Sequence, residues 1–130
     1  MIDSLAEMTR DDQPLLQDPV VRDELMQLII SDQSISIGEK RATIQALTND
    51  FPWSLPLSTK YRWTEFARHM RQTAVRLQGA DGTLYVKDAD AVQAGFWQRA
   101  YLQSFSATIG GGTSQVQANI IAEHVLGLPK

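Results

Sequence analysis

The sequence predicts an all-α fold, an up-and-down four-helix bundle, on three observations. Apolar residues return every three or four positions through four stretches, turn-forming residues mark the breaks between those stretches, and no stretch carries the two-residue alternation of a strand. At 130 residues the chain is long enough for one domain with a core of its own and short of two.

Residues 2 to 9 carry Ile2, Leu5 and Met8 at a spacing of three, which reads as the tail of a helix whose earlier turns lie outside the sequence. Arg10 to Pro14 is a polar connection. Asp18 followed by Pro19 supplies a cap and a proline at the first helical position, and a long helix is expected over 19–48. Its stripe is Val21, Leu25, Leu28, Ile29, Ile35, Ile44 and Leu47, with Gly38 as its weak point. Two prolines among residues 49–56 break the run, and Phe51 and Trp53 are expected to tuck against the end of the bundle.

A second helix is expected over 57–78, with Trp63, Phe66, Ala67, Met70, Ala74 and Leu77 on one stripe and Gly79 as its stop. Lys60, Arg62, Arg68 and Arg71 are expected to face mainly outward as a solvated basic face that phosphate could also meet. After a turn at Gly79–Thr83, a third helix is expected over 90–107, burying Val92, Phe96, Ala100 and Phe105, with Trp97 and Tyr101 nearby. The last helix is expected over 114–125. Thr113 caps it, Val116, Ile120, Ile121 and Val125 form its inner face, and Gly127 with Pro129 ends it.

Composition excludes several classes of function. A formal charge of −3, from 12 Lys and Arg against 15 Asp and Glu, and the lack of a basic block argue against nucleic acid as a partner. Zero cysteines exclude a disulfide framework and a thiolate metal site. No apolar run has the length of a membrane span and the start lacks the pattern of a signal peptide, so the expectation is a soluble, cytoplasmic protein. His69 and His124 have no second histidine at metal spacing, and Glu65 with His69 makes only one edge of a site that needs several more ligands. Ser104, Ser106 and Ser114 have no adjacent base to make one a nucleophile. The residues therefore assemble neither a metal site nor a catalytic centre. The one suggestive element is the turn Gly110, Gly111, Gly112. It feeds a capped helix start, where free N–H groups and the positive dipole end favour an anion such as a phosphate-bearing ligand.

The run IGGGTSQVQANIIAEHVLGLP from Ile109 to Pro129 resembles the C-terminal signature of the acyl-CoA dehydrogenases, flavoenzymes that desaturate acyl-CoA thioesters. DPVVR from Asp18, LQGADG from Leu77 and FWQRAYL from Phe96 resemble three other segments of that family's C-terminal helical domain. The resemblance covers nearly the whole chain and the last third of a typical member, so the expected domain, 1–130, is a C-terminal bundle without its N-terminal helical and middle β domains. It is expected as a fragment or as a separately encoded piece.

The resemblance implies FAD, bound between those domains and a neighbouring subunit, and hence a homo-oligomer. By resemblance, Thr113 and Gln115 hydrogen-bond the flavin nucleotide, Gly111 and Gly112 give the cofactor room, and Gly79, Ala80 and Asp81 lie against the FAD of the partner subunit. Arg76 stands where some members carry a glutamine. Arg10 stands near the family's flavin-phosphate arginine but lacks the Phe-Gly that follows it there.

Many members carry the catalytic glutamate two residues before the signature threonine, a position that is Gly111 here. Others place it on the preceding helix, which would lie upstream of Met1. Proton abstraction needs a carboxylate within reach of the substrate α-carbon, so no catalytic residue is expected in this chain and the chain alone is expected to be inactive. In the complete enzyme the implied partners are an acyl-CoA substrate and an electron-transfer acceptor. Two alternatives stay open, a helical scaffold or partner subunit that has lost flavin, and, more remotely, a metal-binding bundle.

Overall fold

The computed structural model describes residues 2–10, 12–48 and 54–129. Its elements are α1 (Ile2–Ala6), a minimal antiparallel ladder of β1 (Thr9–Arg10) and β2 (Gln13–Pro14), α2 (Pro19–Ala42), α3 (Ser54–Leu77), α4 (Phe96–Ile109) and α5 (Ser114–His124). The fold is the helical bundle the sequence predicts. The ladder replaces the polar connection read at Arg10–Pro14, and at two residues a strand it is a turn rather than a layer.

The chain enters α2 as its capping residues require. Asp18 is extended, at φ −64° and ψ 118°, and its Oδ1 accepts from the Val20 N–H at 2.8 Å, with Pro19 at the first helical position. The helix ends at Ala42 and not near residue 48. At the β-branched pair Thr43–Ile44 the backbone turns extended at Ile44 (φ −102°, ψ 103°), and a single 3-10 turn, Gln45–Leu47, follows. Ile44 and Leu47 are consequently exposed and drop out of the expected stripe. Phe51 and Trp53 lie outside the described residues.

α3 is the helix on which α2, α4 and α5 all pack. It runs antiparallel to α2: Thr73 Oγ1 donates to Glu24 Oε1 at 3.3 Å near one end, and Arg62 Nη2 donates to Ser34 Oγ at 2.8 Å further along. The core gathers Leu5, Leu15, Val21, Leu25, Leu28 and Leu77, with Met8, Leu16, Phe66 and Met70 against it, so it sits where the N-terminal segment covers the start of α2 and the end of α3. Ala74, fully buried, lets the helices approach there.

α4 begins later than expected and is rotated. Gln93, Ala94 and Gly95 occupy the left-handed region in succession, at φ 49°, 53° and 72°, so right-handed helix starts only at Phe96. Only glycine fits the last of these positions, because a Cβ on Gly95 would lie 2.6 Å from the Val86 nitrogen. The buried positions are Trp97, Gln98 and Ser104, whereas Phe96 and Phe105, expected inside, are 56% and 40% exposed.

Candidate functional site

Between α4 and α5 the chain must reverse in three glycines. The Gly110 N–H closes α4 by donating to the Ser106 carbonyl at 2.8 Å, and Gly111 and Gly112 then take φ +70° and +99°. Glycine takes these values of φ without the strain that a side chain brings. Space says the same at Gly112, where a Cβ would stand 2.8 Å from Gln117 Nε2. Thr113 follows as the cap of α5: its Oγ1 accepts from the Val116 N–H at 3.3 Å and its carbonyl accepts from the Gln117 N–H at 2.9 Å. Helix geometry leaves the Ser114 and Gln115 amides without intrahelical acceptors, and the Gln115 side chain is exposed.

The inner face of α5 differs from the expected one. Gln117 is buried at 9% exposure and Val116 is 47% exposed, while Ile120, Ile121 and Val125 are half-buried. The exchange has a polar cause. Gln117 Nε2 donates to the Gly111 carbonyl at 2.8 Å, which satisfies a turn carbonyl and makes burial of the amide tolerable.

Two α3 side chains read as outward-facing or as a partial metal edge are turned onto this turn instead. Lys60 Nζ donates to the Gly112 carbonyl, and Glu65 Oε1 accepts from Ser114 Oγ. The other Glu65 oxygen accepts from Arg68 Nη2 at 2.8 Å, and the Arg68 guanidinium also lies 5.9 Å from the centre of the Phe105 ring. The Ser114 hydroxyl, and after it the Arg68 guanidinium, hold the Glu65 carboxyl below the ordinary carboxylate range, against a smaller upward push from burial; Lys60 assists. So engaged, Glu65 is a weaker base than a free carboxylate. Among the described residues no three His, Asp or Glu side chains could share an ion. Lys60, Arg62, Arg68 and Arg71 are all half-buried, which corrects the outward reading of that face. Sequence spacing gave no sign of the Lys60 and Glu65 contacts, since each partner lies about fifty residues away.

Gly79 and Ala80 belong to a 3-10 turn, Gly79–Thr83, at the other end of α3. Gly79 takes φ +62° with open space where a Cβ would be, and Ala80 and Asp81 are exposed. Beneath them Gln98 Nε2 donates to Gln78 Oε1 at 2.8 Å and more weakly to the Asp81 carbonyl at 3.3 Å, leaving buried Gln98 Oε1 without a partner. Arg76 reaches across to α2, where it forms an ion pair with Glu24. Arg10 pairs with Asp18 at 3.7 Å. Thr113, Gln115, Gly111 and Gly112 thus form one group beside Lys60, and Gly79, Ala80 and Arg76 another, sixteen residues or about 24 Å along α3. One copy of the chain does not bring the two groups together.

At Gly111, the position where the resembling family often carries its glutamate, φ of +70° would strain any other side chain. No helix among the described residues is long and apolar enough to cross a membrane.

Comparison with known proteins agrees with this architecture. The family described as acyl-CoA dehydrogenase, C-terminal domain, matches residues 1–126. The acyl-CoA dehydrogenase IpdE1 of Mycolicibacterium smegmatis is 34% identical over 114 residues, 87% of this chain and 26% of its own length. The protein of the same name from Mycobacterium tuberculosis is 38% identical over 72 residues, 55% of this chain and 18% of its own length. Among solved structures, the Tcur3481-Tcur3483 steroid ACAD superposes with a TM-score of 0.76 at 25% identity, covering 92% of this chain and 31% of that one. The ChsE4-ChsE5 complex from Mycobacterium tuberculosis superposes with a TM-score of 0.78 at 22% identity, covering 99% and 33%, a likeness of fold. The chain spans about a quarter of the length of the first of these relatives. On the family match over residues 1–126, the chain belongs to the acyl-CoA dehydrogenases, as their C-terminal domain.

Proposed function

We propose that this chain serves as the C-terminal bundle of an FAD-dependent acyl-CoA dehydrogenase acting in the cytoplasm, and that it contributes flavin and subunit contacts without a catalytic base. The observation that carries the proposal is the turn itself. Gly111 and Gly112 bare the backbone ahead of a capped helix whose first amides, at Ser114 and Gln115, are free of intrahelical acceptors, and the exposed Gln115 amide stands beside them. That donor set fits the polar end of a dinucleotide.

FAD, when bound, supplies the hydride acceptor for α,β-desaturation of an acyl-CoA. This chain's part is to hold and orient. Thr113 and Gln115, with room left by Gly111 and Gly112, would hold one flavin, and Gly79 and Ala80, with Arg76 close by, would face another. The separation of the two groups along α3 supports an assembly of at least two copies. Arg76 would have to leave Glu24 to take part.

A steroid ACAD among the similar structures makes steroid-derived acyl-CoA the substrate to try first. The electron-transfer acceptor belongs to the complete enzyme. The scaffold reading keeps one supporting observation, the left-handed glycine at the family's base position, which leaves this chain without that carboxylate.

The complete protein carrying this chain should purify with flavin absorbance and pass electrons from an acyl-CoA to a dye acceptor. Thr113→Ala with Gln115→Ala should release the flavin on gel filtration at unchanged helix content. The 130-residue chain alone should hold no flavin, because a few exposed hydrogen bonds, each worth about 1 kcal/mol, do not offset immobilising so large a ligand. A colourless complete protein would leave the scaffold reading standing in its place.

A further inference from the structure

Thr113 is flanked by two tethers from α3. Gly112, before it, has its carbonyl held by the Lys60 ammonium, and Ser114, after it, has its hydroxyl held by the Glu65 carboxylate. Lys60 and Glu65 are five residues apart, about 7.5 Å along the axis of α3. Glu65 is anchored on its own helix side: Arg68 fixes its second oxygen from one turn on.

The charges are placed for the job. The ammonium meets a carbonyl at the end of a turn, and the carboxylate meets the first residue of a helix, where the dipole favours negative charge. Without them the turn rests on glycines, which impose little on the backbone, and on the local bonds of Gly110, Thr113 and Gln117.

We infer that Lys60 and Glu65 are positioning residues that fix the backbone on either side of Thr113, so that the turn is set for a nucleotide before one arrives. The inference rests on the flavin reading above for its ligand and on the two contacts for its mechanism. Neither residue touches the ligand in this account. Each acts through the residue next to Thr113.

The test has two arms. In the 130-residue chain, the Val116 and Gln117 amides, both bonded to Thr113, are followed by hydrogen exchange. Lys60→Met, Glu65→Met and Ser114→Ala should each speed their exchange about five- to tenfold, the factor a lost hydrogen bond of ordinary strength allows. Amides at the α2–α3 core should keep their rates. Lys60→Arg and Glu65→Gln, which keep a donor and an acceptor, should restore most of the protection. Ser114→Ala guards against misfolding, since alanine favours helix and so cannot loosen α5 by propensity.

In the complete flavoprotein Lys60→Met and Glu65→Met should release FAD faster by a similar factor, with kcat of the flavin-loaded fraction unchanged. Unchanged exchange would overturn the tethers. Faster exchange with wild-type FAD release would overturn their positioning role. A wild-type complete protein free of flavin would overturn the flavin reading, and with it the ligand half of this inference, while the exchange arm still decides the tethers.

Discussion

Both ends of α3 meet a glycine-bearing loop, and the two loops are held in opposite ways. At the Gly110–Gly112 turn the carbonyls are secured from outside while the first amides of α5 stay open: Gly111 is bonded to Gln117, Gly112 to Lys60, Ser114 to Glu65 and Val116 to Thr113. At the Gly79–Thr83 turn the bonds are mostly local, Thr83 Oγ1 to the Ala80 carbonyl and the Leu84 N–H to the Asp81 carbonyl, and the buried Gln78–Gln98 pair beneath leaves one acceptor unsatisfied. A turn secured by neighbouring helices is organised in advance of any ligand, whereas a turn resting on an unfinished polar pair is one whose order another surface could complete. The signals are alike in sequence, glycines beside a helix end, and the difference lies in what α3, α4 and α5 bring to them.

The comparison breaks first at the glycines. Gly112→Ala places a side chain at φ +99° and drives it against the Gln117 amide that secures the turn, so it should cost about 2 to 3 kcal/mol, from left-handed strain plus a lost buried hydrogen bond. Gly79→Ala meets nothing within 4 Å at φ +62° and should cost about 1 kcal/mol, the strain alone. Urea unfolding of the two variants measures the gap. Equal costs would mean that the turn before α5 is no more tightly held than the loop after α3.

How much of this could be read in advance follows from where each signal resides. Caps and stops are local. Asp18 with Pro19, Thr113, and Gly79 after α3 were legible because their chemistry is fixed by residue type within one turn. The stripe Val21, Leu25, Leu28 and Ile35 was legible because it is periodic. The face of α4 was not, since Gln93 and Ala94 carry no mark of the left-handed conformation that delays the helix. Gln117 displaced Val116 from the interior because a carbonyl six residues earlier needed a donor, a demand that periodicity does not record. Of the candidate site, the glycines and Thr113 stood out in sequence, while Lys60 and Glu65 became visible only when α3 was laid beside the turn.

The next test is acid. Because Ser114 and Arg68 hold the folded Glu65 carboxyl below its unfolded value, the ionised form binds the fold better; this contribution is fully present above the ordinary glutamate pKa of about 4.3 and is lost as pH falls through the lower folded value. Lys60 from α3 faces the same carboxylate with Arg68, and from α5 the neutral Ser114 hydroxyl does so. Thermal melts from pH 6 down to pH 3 should therefore fall less steeply for Glu65→Gln than for the wild type. Parallel curves would show that the contact between α3 and α5 carries no charge-dependent stability.

The smallest effect belongs to the far end of α3. Arg76 pairs with Glu24, but its side chain is 57% exposed, and an ion pair so placed contributes about 0.2 to 1 kcal/mol once solvent screening and side-chain entropy are counted. Thr73 also donates to Glu24, so the carboxylate keeps a partner when the arginine is gone. Arg76→Ala should shift the urea midpoint only slightly, and by less in high salt. In the complete protein the same variant separates two uses of the side chain. If Arg76 serves only α2, flavin retention stays at the wild-type level; if it turns from Glu24 toward a flavin beside Gly79 and Ala80, retention falls although stability hardly moves.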